Sequence, residues 1–282
     1  MREELLQEAF RKYGTPLYVF DLDILKEQTE RIRAGFGPEI NLCYAMKANP
    51  FLTGYMAQWS DRIEVCSMGE FRICRKLQVP PEKLFISGVM KKRDDIREIL
   101  AYCGNRCAYT VESPLHFQYF VEWSEEHPED GVLRLYPRLT SGNQFGMSET
   151  DILSILADQV KYPNLDIYGI HYYSGTQKKK RQIDKDFEKL DAALTRFKEE
   201  TGFVPKLVEM GPGFPVDYFN PPYDETEEAT LSENKSTILA FAEKYPLGIE
   251  MGRYLAAPCG TYASRVMDIK NNSDTNYIIC DG

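Results

Sequence analysis

Short apolar runs alternate with amphipathic stretches along most of this chain. The runs are Leu42 to Met46, Arg62 to Cys66, Lys83 to Ser87, Ala108 to Val111, Val132 to Leu139, Ile167 to Tyr173, Lys206 to Met210, and Leu247 to Met251. Between them lie helix-like segments such as Asp94 to Tyr102, Ser113 to Glu126, Glu149 to Asp158 and Ile183 to Glu200. Ser113, Asp151 and Asp184 are placed to start helices, because their side-chain oxygens can accept from first-turn N–H groups. Near-continuous apolar strands are those of a parallel sheet covered on both faces. Eight strand–helix repeats over about 210 residues fit a (β/α)8 barrel, which typically takes about 250. A doubly wound sheet is the alternative, but eight units are many for one. The expected fold is therefore α/β, a (β/α)8 TIM barrel.

Two pieces fall outside that repeat. Thr15 to Phe20 reads as a strand before the first helix. Gly260 to Ile269 and Asn276 to Cys280 are also strand-like, with a turn at Asn271 to Asp274. These pieces are expected to form part of a β domain. The implied division is residues 1–22 contributing to that domain, 23–255 as the barrel, and 256–282 as the start of a truncated second domain. The acidic stretch Asp224 to Glu233 reads as an exposed loop in the seventh βα connection.

Composition narrows the function. At 282 residues the chain can bury one large core, or a large domain with a fragment of a second. A net charge of -9 argues against a nucleic-acid binder. Lys178 to Arg181 is the local exception and reads as a solvated turn or first helical turn. No apolar run is long enough to span a bilayer, and Met1 to Leu6 carries no secretory core. Seven scattered cysteines suit a reducing compartment, so a cytoplasmic location is expected. Cys103 and Cys107 lack a matching second pair, which argues against zinc. No metal is expected.

The chemistry lies where the runs end. In a barrel the strand C-termini share one mouth, so residues distant in sequence can meet there. Lys47 closes the first run, in Tyr44-Ala45-Met46-Lys47-Ala48-Asn49. A lone lysine at the mouth of a buried strand is poorly solvated, which lowers its pKa and leaves a neutral amine able to attack an aldehyde. A snorkelling surface lysine is the alternative. Glu64 lies at the end of the second run, Arg138 at the end of the fifth, and His171 and Tyr173 at the end of the sixth, followed by Gly175, Thr176 and Gln177. Gly211 and Gly213 follow the seventh, and Glu250, Gly252 and Arg253 the eighth.

Loops after strands seven and eight are the usual phosphate corner of such a barrel. Gly211 and Gly213 let N–H groups converge on an anion, and Arg253 adds a planar cationic fork. Phosphate at one end and a lysine amine at the other suggest pyridoxal 5′-phosphate. Glu250 can then face the pyridine nitrogen and keep it protonated, which makes the ring a strong electron sink and favours loss of carbon dioxide. An ordinary Glu250–Arg253 ion pair is the alternative.

The chain resembles the fold-type III, alanine racemase-like pyridoxal phosphate enzymes, in their diaminopimelate/ornithine/arginine decarboxylase branch. The resemblance rests on the Lys47 segment, Glu64-Val65-Cys66-Ser67-Met68-Gly69-Glu70 and Gly169-Ile170-His171-Tyr172-Tyr173-Ser174-Gly175-Thr176-Gln177. Gly211-Pro212-Gly213-Phe214-Pro215 and Glu250-Met251-Gly252-Arg253-Tyr254 complete it. It implies Lys47 as the aldimine lysine, Glu250 on the pyridine nitrogen, and Gly213, Thr176 and Arg253 around the phosphate. Glu64, Arg138, His171, Tyr173, Gly175, Gly211 and Gly252 complete the expected cofactor site. An arginine at the position of Glu250 would have implied a racemase.

Three departures stand out. Tyr173 occupies the place of the ring-stacking histidine, Glu64 replaces an aspartate, and Pro212 replaces a glycine of the phosphate loop. The family also continues into a β domain whose cysteine-acid motif and tyrosine reach the partner subunit in a head-to-tail dimer. This sequence has neither, so the expectation is a cofactor half-site whose remainder is missing or comes from another chain. The implied activity is decarboxylation of a small amino acid, by default diaminopimelate-like. The segment Ser141 to Met147 and the Tyr172-Tyr173 pair look more like decarboxylases that take modified or carrier-tethered substrates. A non-catalytic cofactor carrier, or an inactive partner of a complete decarboxylase, are the rival readings.

Overall fold

A computed structural model of the protein describes residues 3–89, 91–218 and 223–282. After β1 (Leu17–Phe20), nine strands form one parallel sheet. They are β2 (Asn41–Ala45), β3 (Arg62–Val65), β4 (Leu84–Ile86), β5 (Ala108–Val111), β6 (Leu133–Pro137), β7 (Leu165–Ile167), β8 (Gly169–Tyr173), β9 (Leu207–Gly211) and β10 (Leu247–Met251). Their order is β7-β6-β5-β4-β3-β2-β10-β9-β8.

The expected sixth strand is thus two strands hinged at Tyr168. Tyr168 N–H donates to Leu135 O on the β6 side, while its own carbonyl accepts from Lys206 N beside β9. A bridge between Arg138 and His171 continues the contact of β6 with β8. One bent segment therefore pairs first with β6 and then with β9, and this closes the sheet into a TIM-like barrel.

The helices are α1 (Glu3–Tyr13), α2 (Leu22–Phe36), α3 (Thr53–Trp59), α4 (Met68–Lys76), α5 (Arg93–Cys103), α6 (Pro114–Glu126), α7 (Glu149–Asp158), α8 (Lys180–Thr201), α9 (Tyr223–Ala242) and α10 (Arg253–Ala256). Those from α2 to α9 alternate with the barrel strands and cover them from outside. Residues such as Leu25, Ile32, Phe120, Leu190 and Phe197 are buried against the strands, each worth about 1.5–3 kcal/mol on leaving water. Inside the ring, Cys43, Phe85, Ala108, Tyr136 and Leu207 form a separate core.

Local signals fared unevenly. Ser113 caps α6 by accepting from His116 N at 3.2 Å. Asp151 instead sits one turn in, as the third member of a capping box begun by Ser148. Asp184 lies inside α8, where its side chain takes Lys180 and Thr237 as partners. The acidic stretch Asp224 to Glu233 is helix, the first part of α9, and not a loop. Thr230 and Leu231 are buried there, so packing overrides the local charge. In the basic run, Lys180 and Arg181 do begin a helix, but Lys178 is only 6% exposed and pairs with Asp186 at 2.5 Å. Five cysteines are buried thiols; Cys66 is half-buried and Cys280 exposed.

His116 carries a testable cost. It is 7% exposed, and its Nδ1 has no hydrogen-bond partner among the described residues. Burial, with some help from Lys91, pushes its pKa down from 6.5 to about 4. The unfolded chain therefore takes up a proton that the folded chain refuses, and stability falls as pH drops through that window. His116→Phe is expected to flatten this loss by about 2–3 kcal/mol, read from denaturant midpoints at pH 7 and pH 4.5.

The terminal pieces form two separate two-stranded sheets. β1 runs antiparallel to β11 (Gly260–Ala263), with Leu17 opposite Ala263. β12 (Val266–Asn272) and β13 (Thr275–Cys280) form a hairpin turning at Ser273-Asp274. All residues of both hairpin strands are exposed, including Met267, Ile269 and Ile278. Among the described residues, no helix is long and apolar enough to cross a membrane.

Candidate active site

Parallel register brings the first residues of the site together. β2 is flanked by β3 and β10, with Ala45 opposite Glu64 and Cys43 opposite Glu250. Lys47 follows β2 in a single 3-10 turn, Met46–Ala48. Its Nζ stands 3.3 Å from Glu64 Oε2 and 3.5 Å from Glu250 Oε1. The two carboxylates are almost wholly buried, at 2% and 3%, while the lysine side chain is 40% exposed.

This corrects the expectation of a depressed lysine. Burial does press the Lys47 pKa down, but Glu250 and Glu64 together outweigh it and raise it. The ammonium is the resting form. The two acids are driven apart. Burial and the nearby Glu250 raise Glu64 despite Lys47 and Ser87. Glu250 is also pushed up by burial, yet Lys47, His171 and Arg138 prevail and hold it below the usual range. Glu250 is the committed anion, and Glu64 the acid that keeps a proton more readily.

His171 Nε2 lies 3.2 Å from Glu250 Oε2, and Phe85 meets the imidazole edge-on at 5.5 Å. Burial lowers the His171 pKa, so the neutral ring donates from Nε2 and holds Glu250 from below. Tyr173 sits nearer the mouth, its ring centroid 5.1 Å from Lys47 Nζ. Arg138 spans to the far wall. Its guanidinium meets Glu112 at 3.0 Å and donates to Tyr173 O at 3.2 Å, with the Phe145 ring 5.0 Å away.

Glycines build the opposite side. Gly213 has φ +68°, and a Cβ there would fall 2.1 Å from Gly175 O. Only glycine lets the loops after β8 and β9 approach this closely, and Lys178 N–H fastens them by donating to Gly213 O at 3.0 Å. Gly211 lies against the Tyr173 ring, 2.6 Å from where its Cβ would stand. A cavity of about 150 Å³ opens between Lys47, Thr176, Gly213, Gly252, Arg253 and Tyr173. A second, of about 390 Å³, is lined by Lys47, Glu64, Arg138, His171, Gly175 and Glu250 among others. Every expected site residue except Gly211 lines one of the two, and Gly211 supports the ring between them.

The sequence reading missed Ser87, which donates to Glu64 from the end of β4, and Glu112, which follows β5. Both continue the strand-end pattern that found the others. The donor set fits pyridoxal phosphate: an amine for an aldehyde, an anionic carboxylate for a ring nitrogen, and a glycine turn with an arginine for a phosphate.

Fold and site together define a barrel enzyme of the pyridoxal phosphate class. Residues 22–257 match the family described as pyridoxal-dependent decarboxylase, pyridoxal binding domain, and the chain belongs to that family. The L-glutamyl-[BtrI acyl-carrier protein] decarboxylase of Niallia circulans is 27% identical over 96% of this chain and 68% of its own length. Diaminopimelate decarboxylase of Aquifex aeolicus is 25% identical over 98% and 68%. In fold, the chain is similar to diaminopimelate decarboxylase from Helicobacter pylori complexed with L-lysine. The TM-score is 0.85 at 21% identity, covering 98% of this chain and 73% of that one.

Proposed function

We propose that this chain carries the cofactor on Lys47 and decarboxylates a small α-amino acid, diaminopimelate-like by family default. The observation that carries the reading is the meeting of Lys47 and Glu250 within 3.5 Å at the mouth that also holds Gly213 and Arg253. When bound, pyridoxal phosphate supplies the electron sink that accepts the pair left on the α-carbon as carbon dioxide departs. The chain's own residues do the rest. Glu64 Oε2 can take a proton from Lys47 Nζ, freeing the amine to act as nucleophile. Glu250, held by His171, keeps a proton on the ring nitrogen. Tyr173 provides a flat face in place of a stacking histidine. Thr176, Gly213, Gly252 and Arg253 would hold the phosphate, with Gly175 packed against Gly213 and Gly211 against the Tyr173 ring.

Residues 1–22 and 256–282 are proposed to contribute to a second, β domain, and the exposed apolar hairpin β12–β13 supports this. A head-to-tail homodimer and a cytoplasmic location belong to the same reading. Glu250 argues against a non-catalytic carrier, which has no use for a carboxylate at the ring nitrogen.

Protein reconstituted with pyridoxal phosphate should release carbon dioxide from at least one of diaminopimelate, lysine, ornithine, arginine or a glutamyl thioester. Borohydride should fix the cofactor on Lys47. No release from any of these, with a β domain supplied in cis or from a partner, would refute the activity.

A further inference from the structure

We infer that Asp186 and Gln177 are positioning residues: they lock the loop between β8 and α8 in the shape that presents Thr176 and Gly213 to a phosphate. They thereby set affinity for the 5′-phosphate of the cofactor rather than for its ring. The inference rests on the reading of the smaller cavity as the phosphate end of the cofactor site. Thr176 and Gly213 line that cavity, whereas Asp186 and Gln177 do not.

Neither packing nor backbone preference holds this loop. Thr176 and Gln177 are exposed, and φ is +124° at Gly175 and +58° at Gln177. The second value puts a residue with a long side chain in the left-handed region, which an untied loop avoids. Side-chain hydrogen bonds supply the restraint instead.

Asp186 reaches the loop from α8. Its Oδ1 accepts from the Tyr172 hydroxyl at 2.9 Å, and its Oδ2 from the Ser174 hydroxyl at 2.7 Å and Lys178 Nζ at 2.5 Å. Lys178 Nζ also donates to Ser174 Oγ. Ser174 and Lys178 bracket Gly175, Thr176 and Gln177, so one carboxylate ties both ends of the loop to the helix. The side chains of Lys178 and Asp186 are largely shielded from water, which favours these charge-assisted bonds.

Gln177 ties the same loop to its neighbour. Its Nε2 donates to Val216 O at 2.9 Å, and its Oε1 accepts from Val216 N–H at 2.6 Å. Lys178 N–H donates to Gly213 O, so the loops after β8 and β9 are fastened on both sides of Phe214 and Pro215. With these ties in place the cradle is formed before a ligand arrives, and phosphate binding carries little ordering cost.

The test is equilibrium dialysis of pyridoxal 5′-phosphate, and of pyridoxal, which lacks only the phosphate, against unloaded protein and two variants. Asp186→Asn removes the charge that collects the three donors. Gln177→Asn keeps a residue that tolerates the left-handed region but is too short to reach Val216, and its exposed position keeps the test open even if the aspartate variant folds poorly. The parent should prefer the phosphorylated ligand. Each variant should bind that ligand about ten-fold more weakly, the size of one charged-group hydrogen bond lost, with pyridoxal affinity unchanged. A parallel fall in both affinities, as a merely structural role would give, would overturn the inference. So would an unchanged preference in either variant, or tighter phosphate binding by Asp186→Asn, as expected of a carboxylate that only repels the anion. A parent that binds the two ligands equally brings down the phosphate reading of the cavity as well. A parental preference that the variants retain counts against the positioning role alone.

Discussion

An alanine in place of Lys47 is expected to abolish borohydride-stable attachment of the cofactor and to cut decarboxylation by on the order of 10³-fold or more. The barrel itself should persist, because the lysine side chain is 40% exposed at the barrel mouth. Its loss strands two buried carboxylates without their shared cation. Glu64, already inclined to hold a proton, should then take one permanently. A carboxylate whose pKa rises in the folded state contributes stability that fades as pH climbs. The melting temperature of the variant should therefore lag the parent more at pH 8 than at pH 5. Mass mapping of the borohydride label decides the chemistry. A label on Lys91 or Lys178 would transfer the role to another lysine.

Exchanging Glu250 for glutamine should leave the cofactor attached yet lower turnover by about 10²–10³-fold, the usual cost of removing one preorganised charge from a site. Glutamine keeps the shape but cannot hold a proton on a ring nitrogen by charge. It also removes the stronger of the two carboxylate influences that raise Lys47. The amine should therefore become free at lower pH, and the pH profile of cofactor capture should move down. A merely structural carboxylate would lower capture and turnover together without that displacement. Turnover equal to the parent's would end the proposed ring-nitrogen role.

Much of the fold was legible because burial on both faces leaves a mark in composition. Runs such as Leu42 to Met46 and, but for Glu250 near its end, Leu247 to Met251 are apolar throughout, and both proved to be buried strands of the sheet. Local chemistry was less dependable. Ser113 capped its helix, whereas Asp184 had equal qualifications and lies one turn inside α8, bonded to Lys180 and Thr237. The acidic start of α9 reads as loop until Leu231 and Ile238 are seen packed into the core. The bend at Tyr168 left no signal, since a single residue exchanges partners between β6 and β9 within one apolar run.

By itself, the sequence determined the strand–helix alternation, the placing of reactive side chains at strand ends, and the glycines that a close loop crossing requires. Those properties are local: periodicity, residue type and backbone freedom. Tertiary structure decided the charges. Lys47 is an ammonium rather than a free amine because register sets Glu64 and Glu250 on either side of it. Glu112 and Ser87 gained their places only when β4, β5 and β6 lay side by side. Electrostatic energy depends on distance through space, and only the closed barrel supplies those distances.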